Sequence, residues 1–235
     1  MTASPFLSIQ NLHGWYGESH VLHGVDVEVH EGEVVSLLGR NGAGRTSTLR
    51  AILGLLSRRE GSIRVAGRET IAMAPFRIPR LGIGYCPEER GIFASLTTEE
   101  NLELPPRVAE GGMPVEEIYR IFPNLAERRS SPGTKLSGGE QQMLAIGRIL
   151  RTGAKLLLLD EISEGLAPVI VQKLADTIRF LRGRGYTILM VEQNFRFAAP
   201  LADRFYVIEH GRVAMQFDQS ELDARQEELA KFLGV

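Results

Sequence analysis

The segment Gly39-Arg40-Asn41-Gly42-Ala43-Gly44-Arg45-Thr46 constrains this chain more than any other. It follows Glu33–Leu38, an apolar run that reads as a buried strand, and leads into Thr46–Leu55, which reads as a helix. Glycines at 39, 42 and 44 allow positive φ and close approach of the backbone to a ligand. The amides of such a loop converge with the N-terminus of the next helix on one point, and that point favours an anion. Strand, loop and helix in this order predict a phosphate-binding turn at the edge of a parallel sheet. The plain alternative is a glycine-rich turn without a ligand.

The rest of the chain supplies that sheet. Leu156–Asp160, Thr187–Glu192 and Phe205–Glu209 are short apolar runs of parallel-strand character. Between the second and third lies a predicted helix at Phe195–Leu201; another spans Pro168–Leu181, with Pro168 at its start and Gly183 just past its end. Val25–Val29 alternates as a half-buried strand does, and Leu7–Leu12 and Ser62–Val65 read as two more strands. Strands alternating with helices predict a mostly parallel α/β fold. Residues 88–136 differ: they are polar and helical, broken at Pro105-Pro106, Gly111-Gly112 and Pro132-Gly133. Thr97 and Glu100 have the spacing of a helix capping box. We read 1–235 as one domain with a helical lobe inserted at about 88–136.

Composition narrows the classes. Hydrophobic residues make up 43% and charged residues 24%, a globular balance. A formal net charge of −2 lacks the basic excess of a nucleic-acid binder. Cys86 is the one cysteine, so no intrachain disulfide forms, and its apolar setting reads as a small core residue. No apolar run reaches the roughly 18 residues of a spanning helix, and Met1–Ser8 lacks the pattern of a signal peptide. If the chain serves a membrane, it does so from the cytoplasmic face, through a partner.

Gly39 and Asn41 to Ser47 are the candidate phosphate cradle. Thr46 is placed to bind Mg2+ through its hydroxyl, and Ser47 to donate to a phosphate oxygen. Arg45 stands where the motif has lysine. Guanidinium keeps the charge but is wider, planar and directional, so the expectation is nucleotide binding with slowed hydrolysis. Leu156–Asp160 ends in Asp160 and Glu161. Downstream of a phosphate loop, Asp160 is the candidate Mg2+ ligand and Glu161 the base that polarises an attacking water. The alternative is a helix-capping acid pair. Leu136-Ser137-Gly138-Gly139-Glu140-Gln141-Gln142 precedes a predicted helix at Met143–Leu150, and Ser137 with the Gly138 and Gly139 amides makes a second anion site. One chain has no evident use for two triphosphate cradles. Two chains placed head to tail do.

With these motifs in this order, the chain is similar to the ABC ATPases over essentially its whole length. The resemblance implies an α/β P-loop NTPase fold: an ABC nucleotide-binding domain with an antiparallel β subdomain and an inserted helical subdomain. It implies that Tyr16 stacks on adenine, unless it is an ordinary strand aromatic, and that Ser137, Gly138, Gly139 and Gln141 contact nucleotide. Glu88 takes the Q-loop position and joins both the catalytic set, with Glu161 and Gln193, and the metal set, with Thr46 and Asp160. Ser163–Leu166 is the D-loop, and Gln193 takes the switch position. Gln193 can donate a hydrogen bond but does not titrate near neutral pH, so no activity step is expected from it. Glu88, Gln193 and Ile162 depart from the commonest ABC pattern. The first two fit the ATPase subunits of branched-chain amino acid importers, as do Glu140–Ile146, Gly165–Pro168 and the Leu233–Val235 ending. Arg45 and Ile162 depart from that subgroup too.

The resemblance therefore implies an importer subunit that hydrolyses MgATP. It would work as a homodimer or heterodimer with a second ABC ATPase. Its further partners would be integral membrane permeases and, indirectly, a substrate-binding protein. Alternatives are an importer of urea, amides or another solute, or a weakly catalytic nucleotide-binding regulatory module.

Overall fold

Two sheets share the apolar runs. The computed structural model describes residues 4–234; Val235 and the first three residues of Met1–Ser8 lie outside the described residues. The first sheet is antiparallel, with β1 (Leu7–Tyr16), β2 (Ser19–Val29), β4 (Arg58–Val65) and β5 (Arg68–Glu69) in the order β2-β1-β4-β5. The second holds β3 (Val34–Leu38), β6 (Ile83–Cys86), β7 (Leu156–Asp160), β8 (Thr187–Glu192), β9 (Arg204–Glu209) and β10 (Arg212–Asp218), in the order β10-β9-β3-β8-β7-β6. Its neighbours pair in parallel, except that β10 runs antiparallel to β9.

Side-chain alternation explains why this sheet is buried on both faces. Leu156 and Leu158 of β7, with Leu189 and Val191 of β8, join the core beneath the antiparallel sheet. Leu157, Leu159, Ile188 and Met190 face the opposite way, into a core shared with the helices. Full burial of each leucine stabilises by about 2 kcal/mol, which favours this two-sided arrangement.

The helices are α1 (Arg45–Ile52), α2 (Thr98–Glu103), α3 (Val115–Ile121), α4 (Pro123–Glu127), α5 (Gly138–Arg151), α6 (Pro168–Gly183), α7 (Phe195–Ala198) and α8 (Leu222–Leu233). Residues 88–136 carry α2 to α4. Leu102, Ile118, Phe122 and Leu125 from that stretch pack in the same apolar cluster as Leu144 and Leu150 of α5 and the sheet face. The Thr97–Glu100 capping box forms as expected. Cys86 is fully buried, and its thiol is pushed up to about 12 by that burial.

Several boundaries differ from expectation. α1 starts at Arg45 and stops at Ile52, because Gly54 takes φ 77° and Leu55 turns out to solvent. Gly183 is the last residue of α6 rather than the one beyond it. α7 closes at Ala198, short of Leu201. β1 continues past Leu12 to Tyr16 through a bulge at Asn11, where φ is 46°, and the bulge interrupts the side-chain alternation there. β10 and α8 were not expected. β10 carries an alternation of its own, with Met215 and Phe217 buried, whereas α8 is largely polar and buries only Leu229.

Candidate functional site

The cleft forms beyond the ends of β3, β6 and β7. Gly39 leaves β3 against β9: a Cβ there would lie 2.4 Å from the Ile208 carbonyl oxygen, so only glycine fits. Gly44, at φ 111°, turns the chain into α1 and leaves its first amides facing outward. Asn41 to Ser47 line a cleft of about 450 Å3 together with Val21, Glu88, Glu161 and Glu164. This volume, walled on one side by loop amides and a helix N-terminus, suits a phosphate chain.

Asp160 sits behind the loop, buried. Its Oδ1 accepts from the Thr46 hydroxyl at 2.9 Å and its Oδ2 from the Tyr85 hydroxyl at 2.9 Å. Burial raises its pKa, while the Thr46 and Tyr85 bonds pull the other way. Glu161 turns out of β7 with φ 48°, its amide donating to the Val191 carbonyl at 2.9 Å. Its carboxylate accepts from Arg45 Nη2 at 2.8 Å; Arg45 is 4% exposed and Glu161 9%. Burial and then the adjacent Glu164 push the Glu161 carboxyl up, against the pull of Arg45. One oxygen from each of Glu88, Glu161 and Glu164 lies within 4.8 Å of the others.

Of the expected metal set, Thr46 and Glu88 line the same cleft. Thr46 and Asp160 touch, and Glu88 gathers with Glu161 and Glu164. All are hard oxygen donors, the kind Mg2+ takes.

Gln193 and Ser163 border a neighbouring cleft of about 710 Å3, which Glu161 and Glu164 also line. There Glu192 is buried, accepting from the Ser163 hydroxyl at 2.8 Å and the Ser163 amide at 3.3 Å. Burial pushes its carboxyl up to about 8.

Other expected residues stand apart. Tyr16, 39% exposed at the end of β1, lies beside Arg50 and outside the lining of the phosphate-loop cleft. Ser137, Gly138, Gly139 and Gln141 line neither cleft. Ser137 caps α5: its hydroxyl accepts from the Glu140 amide at 3.3 Å, and the Glu140 carboxylate takes the Ser137 amide at 2.7 Å. Part of the second anion site is thus satisfied from within, leaving the Gly138 and Gly139 amides. The Gln141 side chain is committed as well, donating to the Gly133 and Leu136 carbonyls and accepting from Arg90. Arg90 also reaches Gln142, tying the Glu88 segment to the start of α5.

Sequence reasoning placed Ser163 and Glu164 in the expected D-loop without naming them as site residues, and missed Tyr85 and Glu192. Tyr85 lies within the apolar run 82–86, and only the pairing of β6 with β7 brings it to Asp160. Glu164 and Ser163 carried a signal in the expected D-loop. Glu192 carried one too, as an acid closing an otherwise apolar strand.

Comparison with known proteins fits this geometry. A family model described as ABC transporter matches residues 22–164. The high-affinity branched-chain amino acid transport ATP-binding protein BraG of Pseudomonas aeruginosa is 43% identical over 212 residues, covering 89% of this chain and 91% of that protein. A probable branched-chain amino acid transport ATP-binding protein, LivF of Archaeoglobus fulgidus, is 34% identical over 90% of this chain and 91% of its own length. A solved ATP-binding subunit of an ABC transporter superposes with a TM-score of 0.80 at 29% identity, covering 98% of this chain and 95% of that one.

Proposed function

The chain belongs to the ABC transporter family, and from that membership we propose that it hydrolyses MgATP to drive uptake of branched-chain, hydrophobic amino acids through partner membrane subunits. The observation that carries the chemistry is the convergence of Thr46, Asp160 and Glu161 on the Asn41–Ser47 loop. The amino acid assignment rests on likeness to BraG and LivF.

ATP is the substrate of the phosphate-loop cleft. Loop amides and the α1 N-terminus hold its phosphates, with Arg45 as the nearby cation. Thr46 and Asp160 would hold Mg2+, which supplies charge neutralisation on the phosphate oxygens. Glu161 accepts a hydrogen bond from the attacking water and aligns it. Gln193 offers an amide donor toward the γ-phosphate from the adjoining cleft. The Gly138 and Gly139 amides act on the nucleotide of a second ABC subunit, identical or related. Residues 88–136 form the lobe that meets the permease. Exposed Phe93, with the Arg148 guanidinium 4.8 Å over its ring, is an apolar contact for a short permease helix. The subunit works at the cytoplasmic face of the membrane. Among the described residues no helix is long and apolar enough to cross one.

The test is phosphate release by the chain reconstituted with its permeases and binding protein. Leucine, isoleucine and valine should stimulate it, and Glu161→Gln should abolish it. Stimulation by urea or amides alone would move the assignment to another solute. One observation favours a second reading, a regulatory module with little catalysis: the Arg45–Glu161 ion pair occupies both catalytic groups. Zero release by wild type and variant alike, with all partners present, would select that reading.

A further inference from the structure

Arg45 has a partner that no phosphate loop requires. Its Nη2 donates to Glu161 Oε1 at 2.8 Å and to Asn41 Oδ1 at 3.2 Å. Both members of the ion pair are nearly closed off from solvent. The group that should bind phosphate and the group that should align water are tied to each other. Nη1 of the same guanidinium is buried and has no hydrogen-bond partner among the described residues. An unsatisfied buried donor is costly, so this arrangement leaves binding capacity unused. A phosphate group offers several acceptor oxygens and can engage both amino groups of the fork. Glu88 and Glu164 crowd Glu161, so the carboxylate that Arg45 neutralises stands among like charges.

We propose that Arg45 is a positioning residue for Glu161: it holds the carboxylate in the nucleotide-free site and releases it when phosphate takes the guanidinium. The proposal rests on the reading of this cleft as a nucleotide site. Arg45 lines the phosphate-loop cleft, and a phosphate that engages both amino groups of its fork takes Nη2 from Glu161. Part of the interaction energy of the phosphates is spent on that step, and Glu161 becomes free only in the filled site.

The experiment is a double-variant cycle on the full chain with two readouts. The first is calorimetric titration with Mg2+ and β,γ-imido-ATP, which is not cleaved, so the part Glu161 plays in hydrolysis does not enter. Glu161→Gln should tighten binding about tenfold when residue 45 is arginine, and by less than about twofold in the Arg45→Gln background. Removing a negative charge beside the phosphates would, by itself, tighten both backgrounds alike; that result overturns the proposal. Glu164→Gln removes a neighbouring charge that makes no bond to Arg45. Tightening by it as large as that from Glu161→Gln overturns the proposal too.

The second readout is thermal unfolding without nucleotide. Each single variant should lower the midpoint, and the double variant should regain most of the loss, because neither charge is then left buried alone. Strictly additive losses overturn the ion pair itself. If none of the four proteins binds the analogue while the unfolding coupling persists, the nucleotide reading fails and the release step with it. Binding without coupling removes the release step alone.

Discussion

At the scale of single residues, charge burial sets two predictions. Glu192 is enclosed by protein with Ser163 as its hydrogen-bond partner, and burial pushes its carboxyl from 4.5 to about 8. The folded state therefore keeps a proton that the unfolded chain loses above about pH 4.5. Stability contributed by this group is full below that pH and declines as pH rises toward 8. Glu192→Gln removes the dependence and keeps an acceptor for Ser163. Urea unfolding should find the variant gaining on wild type between pH 5 and 8.5, by on the order of a few kcal/mol. A difference that stays constant across this range would show that Glu192 is ionised in the fold.

Arg45 gives the second prediction. Lysine at position 45 presents one compact charge instead of a fork committed to Asn41 and Glu161. Arg45→Lys should raise phosphate release on the order of tenfold, about 1.4 kcal/mol of barrier. Equal rates for the two proteins would mean that the guanidinium costs the reaction nothing.

At the scale of elements, close packing against α5 explains why Gly139 has no side chain. A Cβ there would lie 2.9 Å from Cγ1 and Cγ2 of Ile170, on α6. Gly139→Ala should therefore push the two helices apart and destabilise by about 1–3 kcal/mol, as overpacking does. Thermal unfolding of Gly139→Ala alone and combined with Ile170→Ala checks it. The second change makes room, so the combined variant should be closer to the Ile170→Ala single variant than additivity predicts.

The same element shows what the sequence could and could not convey. Ser137 and Glu140 stand three apart, so the cap of α5 is readable from spacing alone. The phosphate loop was equally legible, because its glycines, flanking strand and helix are consecutive in sequence. The Gly139–Ile170 contact joins residues on different helices, and no local pattern encodes it. The Tyr85–Asp160 bond depends on which strands become neighbours, and the Arg45–Glu161 pair on the rotamers of two distant side chains. α8 stayed hidden because a helix that buries one residue carries little apolar periodicity.

At the scale of the whole molecule, the two helix ends proposed to meet anions do not line the same cleft. The loop before α1 lines the phosphate cleft; the Ser137–Gly139 end of α5 does not. The larger cleft beside Gln193 is bordered by Glu164, Gly165 and Leu166, so the expected D-loop borders open space. A second ABC subunit can satisfy both at once, its α5 end closing over this chain's phosphates. In the proposed arrangement the Gly138 and Gly139 amides meet the γ-phosphate, so closure should last only while that phosphate remains. Glu161→Gln keeps size and hydrogen bonding but weakens the proposed water-aligning base, so the closed pair should accumulate. Sedimentation with MgATP should show this variant at dimer mass, alone or with a related ABC subunit, and at monomer mass with MgADP. Ser137→Arg, which fills the α5 end with a cation and a long side chain, should keep it monomeric in both. A Glu161→Gln protein that stays monomeric with MgATP, even with the related subunit present, would sink the paired arrangement. A dimer equally populated with ADP would show that the contact between subunits does not depend on the γ-phosphate.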